Sequence, residues 1–372
     1  MIVCVAHNIT SPLGMTSAEN YSAVKAGLSK LRQYDGLWGL PEPFVASLIE
    51  REAFTDNRHT IVEQMAIHSV SKALENAGID TTSEKVIFII STTKGNVFLL
   101  DKREQGFPQE RVRLGMMARQ ITEYFGNPNE PIVVSNACIS GVCAQIEAMR
   151  YLEGGGYDAA VVVGVDVQSA FIVSGFQSLK ALSPEQCKPF DANRRGLNLG
   201  DAAATVIYIR KDKVAENEWV ACRGAIRNDA NHISGPSRTG EGSYRALKAT
   251  LGDMDQATIA FINAHGTATP YNDEMESVAI ERAGLSSIPV NSLKGYYGHT
   301  MGAAGVLETV ISMQAIDDNN ILGTRGFDTL GVTHPLDITS CNRTTAKRAF
   351  IKLLSGFGGC NAALLMAKGG LQ

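Results

Sequence analysis

The sequence contains no long uninterrupted apolar run, although 44% of its 372 residues are hydrophobic. No window approaches the roughly 18 apolar residues of a membrane-spanning helix, so we expect no membrane span. The opening run MIVCVAHN breaks at Asn8 and lacks both a basic segment and a cleavage site. It therefore favours a first strand over a leader peptide.

An excess of positive charge and a disulfide pattern are also lacking. The 34 basic residues are scattered and outnumbered by 38 acidic ones, which gives a net charge of −4 and argues against a nucleic-acid binder. The seven cysteines are odd in number and widely spaced, which predicts a reduced, cytoplasmic protein. No pair of Cys or His has the spacing of a zinc site, so we expect no metal.

Strand-like and helix-like runs alternate along the whole chain, the pattern of a layered α/β protein. The charged stretch KDKVAENEW is the best boundary, and it predicts an N-terminal half of residues 1–212 and a C-terminal half of residues 213–372. The halves have a similar rhythm of elements, which indicates an internal duplication.

One local signal occurs in both halves. A buried strand ends in a loop of small polar residues and a helix follows, as VVSNAC in the first half and FINAHGT in the second. Ligands of α/β sheets collect at the carboxyl ends of strands. The pattern therefore predicts that Cys138 and His265 lie at equivalent strand ends of two related halves.

Cys138 stands where that strand gives way to the helix-like run CISGVCAQIEAMRYLEGG. The free N–H groups and dipole of a helix N-terminus lower a thiol pKa, and the same N–H groups hold an oxyanion. Taken alone, however, a cysteine is more often a small buried hydrophobe. We expect that core role for Cys143, and also for Cys4, Cys222 and Cys341.

Two histidines strengthen the catalytic interpretation of Cys138. His265 lies in NAHGTATP and His299 in KGYYGHTMGAAG, both in loops of small residues before helices, and Lys294 is close to the second. A lone histidine of this kind is usually structural. A nucleophilic thiol needs a partner that handles its proton or stabilises charge, and histidine is the usual partner.

Two glycine-rich segments accompany these residues. Gly302 and Gly305 in GAAG allow a helix to pack closely against a neighbour. Phe357 lies between glycines in SGFGGCN, which is most simply a turn between strands and alternatively a lid whose backbone N–H approaches a substrate.

Together these residues resemble a known family. Cys138, AHGTATPYND, LKGYYGHTMGAAG and GFGGCN occur in the order and approximate spacing of the β-ketoacyl-[acyl-carrier-protein] synthases, and the chain is similar to the elongating Cys-His-His type. The segments PFDANRRGLNLGDAAA and NITSPLG resemble further parts of the family. The resemblance implies a thiolase-like fold, with two duplicated α/β halves in five α-β-α-β-α layers, usually assembled as a homodimer.

The resemblance also implies a reaction. Cys138 would take an acyl group from the phosphopantetheine arm of an acyl carrier protein. Malonyl carrier protein would then lose carbon dioxide, and the resulting enolate would attack the acyl-enzyme. The product is a 3-oxoacyl carrier protein longer by two carbons. The family needs no cofactor of its own, because both substrates arrive on the carrier's arm.

Further roles follow from the resemblance residue by residue. His265 and His299 match the two histidines that hydrogen-bond the enolate oxygen, and Lys294 matches the lysine that tunes charge beside the second of them. The backbone N–H groups of Cys138 and Phe357 match the oxyanion hole, and Phe357 also matches the gate between the substrate routes. The remaining implied roles are pantetheine binding by Thr267 and Thr269 and support of the site by Glu308 and Asn361.

The sequence departs from the family pattern at several positions. It is shorter than typical members, chiefly in its first half. Cys360 stands where threonine is usual, Ser355 where an aromatic is common, and Leu197 and Asp201 replace Phe and Glu. These changes concern the acyl pocket, the gate and their surroundings. They leave chain length open, and also the choice between fatty-acid synthesis and a specialised polyketide or aryl-polyene pathway.

Two other functions remain open from the residues. Thiolases use a second, late cysteine as a base, and Cys360 is late in this chain. An inactive chain-length partner would form a heterodimer with an active synthase, although such partners generally lack the nucleophile. The docking surface for the acidic carrier protein is expected to be basic; Arg111, Arg113 and Arg119 are candidates, and a solvated helix face explains them equally well.

Overall fold

The computed structural model describes residues 1–101, 106–229 and 231–369. In the N-terminal half the elements are, in order, β1 (Ile2–Thr10), α1 (Ser17–Lys25), β2 (Arg32–Tyr34), β3 (Phe44–Ser47), α2 (Ile61–Leu74), β4 (Val86–Ser91), α3 (Leu114–Tyr124), β5 (Ile132–Val134), α4 (Ser140–Glu153), β6 (Ala159–Asp166), α5 (Ala170–Ser178), β7 (Leu199–Gly200) and β8 (Ala202–Arg210).

The C-terminal half continues the alternation of strands and helices. Its elements are β9 (Trp219–Asn228), α6 (Glu241–Leu251), β10 (Ile259–Asn263), α7 (Pro270–Arg282), β11 (Val290–Asn291), α8 (Lys294–Tyr297), α9 (Ala304–Asp317), β12 (Asn320–Ile321), β13 (Arg343–Thr344), β14 (Ala349–Gly356) and β15 (Cys360–Lys368). The predicted boundary at residues 212 and 213 falls between β8 and β9, and the division into two units there stays a prediction.

The duplication is visible in the sheet. Among the described residues, ten strands hydrogen-bond in the order β11-β10-β14-β15-β9-β1-β8-β6-β4-β5. The sheet divides at its middle, where β9 meets β1 through only three residues of each strand. When only the strands of this sheet are counted in each half, their order from the outer edge to the middle is third, second, fourth, fifth, first. This holds on both sides, as β5-β4-β6-β8-β1 and as β11-β10-β14-β15-β9. The parallel and antiparallel pairings are also the same on both sides.

The helices complete five layers. Apolar side chains of α2 and α3 pack on one face of the N-terminal strands. Those of α6 and α7 pack on the outer face of the C-terminal strands. Helices α4 and α9 lie between the two sets of strands and share one core cluster with both. The predicted five-layered α/β fold is therefore confirmed.

Local chemistry explains where several elements begin. Thr16 and Thr60 each accept a hydrogen bond from the backbone of a glutamate three residues later, and that glutamate bonds back, so both α1 and α2 begin with a capping box. Helix α2 ends at Leu74, and the segment before α3 forms a separate 3₁₀ turn.

The GAAG segment has the predicted packing role. A Cβ on Gly305 would stand 2.4 Å from the backbone nitrogen of Val142, and one on Gly141 would stand 2.9 Å from the oxygen of Gly302. Helices α4 and α9 therefore cross with their backbones in contact, and no larger residue fits at Gly141 or Gly305. This crossing brings the beginnings of α4 and α9 together.

The prediction of equivalent strand ends for Cys138 and His265 was wrong in detail. Cys138 follows β5, the third strand of its half, whereas His265 follows β10, the second strand of the other. The strand equivalent to β5 is β11, which leads through α8 to His299. The duplication therefore pairs Cys138 with the His299 segment. Within the described ranges, none of the helices combines the length and the apolar character needed to cross a bilayer.

Candidate active site

Cys138 is held by a tight turn between β5 and α4. Ala137 adopts a left-handed conformation with a φ of 45°, which turns the chain just before the cysteine. The Ser140 hydroxyl donates to the Ala137 carbonyl at 2.6 Å and accepts from the Asn136 N–H at 2.8 Å. The thiol therefore stands one residue before the cap of α4, and Cys138 is 8% exposed.

The fold brings Cys138 together with both predicted histidines. The Cys138 sulfur and a ring nitrogen from each of His265 and His299 lie within 4.8 Å of one another. The two imidazole rings meet edge to face, with centroids 5.0 Å apart and an interplanar angle of 80°. Both rings are buried. The spacing of the three residues in the sequence did not predict this distance, because they come from separate loops of two halves.

The hydrogen bond at His299 determines where its ring proton lies. The N–H of Met301 donates to Nδ1 of His299 at 3.2 Å, so the neutral ring carries its hydrogen on Nε2. Nε2 is buried and finds no hydrogen-bond partner among the described residues. A buried donor without a partner is costly, and one beside a thiol is suited to an oxygen of a bound substrate.

The loop of His265 is anchored by a buried carboxylate that the sequence analysis missed. Glu276 on α7 accepts the N–H groups of His265 and Gly266, each at 2.7 Å. Burial and the neighbouring Asp273 raise the pKa of Glu276 to about 7. The signal was present in the sequence as acidic residues on the α7 helix directly after the histidine loop, but nothing there showed that Glu276 points inward.

A buried ion cluster lies beside the histidines. Glu308 on α9 pairs with Lys294 through one carboxylate oxygen and with Lys352 through the other, the second pair at 2.6 Å. All three side chains are almost inaccessible to water. Burial acts to raise the pKa of Glu308, but the two ammonium groups outweigh it and hold that pKa below its usual value. Lys294 and Glu308, which the resemblance names in separate roles, are therefore paired with each other.

The ion cluster and the burial keep the two imidazoles uncharged. Burial, followed by the positive charge of Lys294, lowers the pKa of His265 and of His299 well below the usual histidine value. Lys352 acts on both rings in the same direction. The rings are therefore neutral at pH 7, and each is able to donate one hydrogen bond and accept another.

The pKa of Cys138 differs from the expectation. Burial, followed by the adjacent Cys360 thiol, raises it to about 12, while Lys294 and the Phe357 N–H act in the opposite direction. A helix N-terminus favours the thiolate, but the loss of solvent around a buried thiolate is the larger effect here. The thiol therefore needs a neighbouring base, and the two neutral imidazoles are within reach.

Phe357 lies in the turn that closes the β14–β15 hairpin. Its N–H lies near enough to the Cys138 sulfur to act against the rise in the pKa of that thiol, and the Cys138 nitrogen is 3.1 Å from the position of a Cβ on Gly356. The Phe357 ring is 38% exposed and stacks on Phe176 at 5.9 Å. The turn is confirmed, and it places two backbone N–H groups beside one thiol. The lid role stays a prediction.

The predicted supporting and binding residues surround this centre. Asn361 donates to the Gly359 carbonyl at 3.0 Å and accepts from the Ser355 hydroxyl at 2.7 Å, so it braces the Phe357 turn. The hydroxyls of Thr267 and Thr269 bond to each other at 2.9 Å on the approach to α7. Their predicted contact with a pantetheine arm stays a prediction.

The positions that depart from the family pattern have distinct surroundings. The Cys360 thiol donates to the Phe357 carbonyl at 3.3 Å and so belongs to the turn. Leu197 packs in an apolar cluster with Phe176 and Met301. Asp201 accepts the N–H of Gln168 at 2.6 Å and that of Ile49 at 3.0 Å, which ties two loops together.

Two sequence-based interpretations are corrected by these surroundings. Arg111 pairs with the fully buried Glu63 at 2.7 Å, so it is a structural residue and a poor candidate for carrier docking. Arg119 pairs with Glu130 on the surface, and the docking role of Arg113 and Arg119 stays a prediction. Cys341 is exposed and is not a core residue, whereas Cys143 is buried as expected. All seven cysteines fall within the described ranges and are free thiols.

Two family models match the chain. The family described as "Beta-ketoacyl synthase, N-terminal domain" matches residues 46–213, and "Beta-ketoacyl synthase, C-terminal domain" matches residues 220–328. The "3-oxoacyl-[acyl-carrier-protein] synthase 2" of Rhizobium meliloti (strain 1021) is 33% identical over 70% of this chain and 66% of its own length.

A second relative and a solved structure cover more of the chain. The "Tetracenomycin polyketide synthase ketoacyl synthase alpha subunit" of Streptomyces glaucescens is 28% identical over 88% of this chain and 85% of its own length. "The ishigamide ketosynthase/chain length factor" has a TM-score of 0.86 at 25% identity, covering 99% of this chain and 98% of its own.

Proposed function

Because this chain belongs to the β-ketoacyl synthase family, we propose that Cys138, His265 and His299 are the residues that perform its chemistry. The protein is an acyltransferase that condenses an acyl thioester with malonyl carrier protein and forms a 3-oxoacyl carrier protein, in fatty-acid or polyketide synthesis. The assignment of roles depends on one observation above all, the reactive atoms of the three residues within 4.8 Å of one another.

In the first half-reaction the Cys138 sulfur attacks the carbonyl carbon of the acyl thioester. A neutral imidazole accepts the thiol proton, and the departing carrier thiol takes up a proton as the carbon–sulfur bond breaks. The negative charge that develops on the carbonyl oxygen is stabilised by the N–H groups of Cys138 and Phe357, which flank the sulfur. An acyl group is then left on Cys138.

In the second half-reaction malonyl carrier protein occupies the space beside the two histidines. The bond from its methylene carbon to the carboxylate breaks, carbon dioxide leaves, and the electron pair forms an enolate. The Nε2–H of His299, which has no partner among the described residues, donates to the enolate oxygen, and His265 supplies a second donor. Neutral rings suit this step, because an imidazolium would protonate the carbanion.

Condensation then completes the cycle. The enolate carbon attacks the acyl carbonyl on Cys138, and the same two backbone N–H groups stabilise the tetrahedral oxyanion. Its collapse expels the Cys138 thiolate and releases the 3-oxoacyl carrier protein. Lys294 does not touch the reacting atoms in this scheme; its charge, paired with Glu308, keeps the imidazoles neutral and lowers the cost of the thiolate.

The partners follow from the same reaction. The acyl- and malonyl-loaded carrier proteins are the substrates, and we infer that the chain needs no cofactor of its own because their phosphopantetheine arms carry both acyl groups. Its free thiols favour a reducing compartment, which supports a cytoplasmic location. The named relatives include a ketosynthase paired with a chain length factor, so both a homodimer and a heterodimer are open to this chain.

Intact-protein mass spectrometry tests the function. The purified protein is incubated with a panel of acyl carrier proteins that differ in chain length and saturation, and then with malonyl carrier protein. We expect an acyl adduct that maps to Cys138 and is converted to a 3-oxoacyl carrier protein. The panel also reports which acyl groups fit beside the cluster of Leu197, Phe176 and Met301.

The alternatives give different results in the same assays. A protein that turns over acetoacetyl-CoA rapidly with free CoA, without malonyl carrier protein, would be a thiolase. A protein that neither forms the Cys138 adduct nor releases carbon dioxide from malonyl carrier protein would be a chain-length partner. The intact nucleophile and both histidines favour the synthase over that partner.

A further inference from the structure

Among the described residues, two lysines are fully buried, Lys294 and Lys352. The reaction scheme uses Lys294 but gives no role to Lys352. It lies in the middle of β14, in the apolar sequence AFIKLL. Its ammonium group donates to the carbonyls of Asn263 and Ala264, each at 3.1 Å, and pairs with Glu308 at 2.6 Å. A lysine is almost never buried in this way without a specific arrangement of partners.

These contacts place Lys352 behind His265. Strand β10 ends at Asn263, which pairs in register with Lys352, and the chain continues through Ala264 to His265. The ammonium group thus binds the last carbonyls before the histidine. It fixes the direction in which the chain leaves the strand, at the point where the regular sheet bonding stops.

The charges around Lys352 come from every element packed against it. Glu308 on α9 and Lys294 on α8 form the ion cluster with it. Lys294 lowers the pKa of Lys352, whereas Glu276 on α7 raises it. The two imidazoles lie next to the cluster. Burial lowers the pKa of Lys352 to about 8. The group is therefore mostly protonated at pH 7 and adds a second positive charge facing both histidines.

On the basis of the proposed function, we propose that Lys352 is a positioning residue for the condensation: it fixes the His265 segment and supplies the second cation that keeps both imidazoles uncharged while carbon dioxide leaves. Glu308 offsets part of the charge of Lys294. The pair of lysines around one carboxylate leaves an excess of positive charge, which opposes protonation of a nearby ring. Neutral rings stabilise the enolate without protonating its carbon.

The charge role predicts a specific change in pH dependence. Removing the cation in Lys352→Met lets the imidazoles bind protons at higher pH, so the acidic limb of the malonyl decarboxylation profile should move up by about one pH unit. That shift corresponds to a decarboxylation rate about tenfold lower on the acidic side of the profile, whereas the loss of charge should change the rate little at pH 8. More of the malonyl group should end as unproductive acetyl carrier protein, because a protonated ring quenches the carbanion.

Two further variants separate charge from shape. Lys352→Arg keeps the charge and should keep the acidic limb where the wild type has it. Glu308→Gln removes the anion that raises the pKa of Lys352. At pH values where Lys352 still holds its proton, the variant adds one positive charge to the cluster, and there it should move the limb to lower pH. In Lys352→Met with Glu308→Gln the net charge of the cluster is that of the wild type, so the limb should return toward its original position although the ammonium contacts are lost.

The measurements are initial rates of carbon dioxide release from malonyl carrier protein between pH 5 and about 8.5, with the acetyl and 3-oxoacyl products quantified by mass spectrometry. If Lys352→Met is too unstable to purify, comparison of the double variant with Glu308→Gln measures the loss of the Lys352 cation in a cluster that no longer contains the buried anion. Rates that fall equally at every pH in these variants would overturn the charge role. A wild-type protein that forms no acyl-Cys138 would contradict the proposed function itself, and the role of Lys352 in the condensation would be overturned with it.

Discussion

At the scale of single residues, Cys138 combines two requirements that oppose each other. A thiol shielded from water protects an acyl thioester from hydrolysis, but the same shielding raises the pKa of Cys138 and disfavours the thiolate. In this site the thiolate is stabilised by groups arranged around the sulfur and not by exposure to water. Lys294, the Phe357 N–H and two neutral imidazoles all favour loss of the proton.

We expect Cys138→Ala to abolish acyl transfer and condensation while malonyl decarboxylation continues, because both histidines remain to bind the enolate. Mass spectrometry should find no acyl adduct, and condensation should fall by more than about 10³-fold. Cys143→Ala is the matched control, since Cys143 is a buried thiol five residues away that the scheme does not use. Normal chain extension by Cys138→Ala would contradict the nucleophile assignment.

His299→Ala should have the opposite effect from Cys138→Ala, with decarboxylation lost and acylation kept. Losing one donor to a developing oxyanion typically slows a step by about 10²–10³-fold, so decarboxylation should fall by that factor. Acylation of Cys138 should persist, because His265 remains beside the sulfur. His334→Ala, at an exposed site paired with Glu281, serves as the control. An equal loss of both half-reactions would show that His299 also serves in acylation.

At the scale of elements, the site depends on how α4 and α9 meet. Each helix follows the third strand of its half, and the two begin next to each other because Gly141 and Gly305 let their backbones touch. Cys138 precedes one of these helices and His299 precedes the other. Their distance is therefore set by helix packing and not by the loops alone.

Gly305→Ala should disturb that packing. The new Cβ would stand 2.4 Å from the Val142 nitrogen, a rigid backbone atom, so the helices must move apart. We expect a loss of about 1–3 kcal/mol in the free energy of unfolding, measured by urea denaturation, and slower acylation of Cys138. Gly175→Ala in α5 is the control. Nothing lies within 4 Å of its Cβ, and it should stabilise the protein by about 0.5–1 kcal/mol. A Gly305→Ala protein as stable as the wild type would exclude close packing there.

At the scale of the whole molecule, charge poses a problem for substrate binding. The chain carries a net charge of −4, and carrier proteins are acidic, so the two proteins repel each other at long range. Productive docking then needs a local basic surface. Arg111 does not supply it, because its guanidinium is bound to buried Glu63.

Salt dependence should report that local surface. Raising the salt concentration from about 0.05 to 0.5 M shortens the Debye length from more than 10 Å to less than 8 Å, so KM for an acyl carrier protein should rise. KM for the same acyl group on free pantetheine, which lacks the protein's charges, should stay constant. Equal responses of the two substrates would mean that docking does not depend on a basic surface.

The sequence by itself determined much of this protein. Alternating strands and helices, the repeated rhythm of the halves and the four ordered motifs predicted the layered α/β fold and the residues Cys138, His265 and His299. These signals are local, because hydrophobic periodicity and turn residues depend on neighbours along the chain.

Tertiary structure decided what depends on contacts between distant segments. Burial, and not the helix dipole, sets the direction of the Cys138 pKa, and the bond from Met301 fixes the tautomer of His299. The sequence did not show that the carboxylate of Glu276 points inward or that Lys352 is buried beside the site. Their roles arise from solvent exclusion and from the meeting of β10, β14 and α9, and neither is a property of a short stretch of chain.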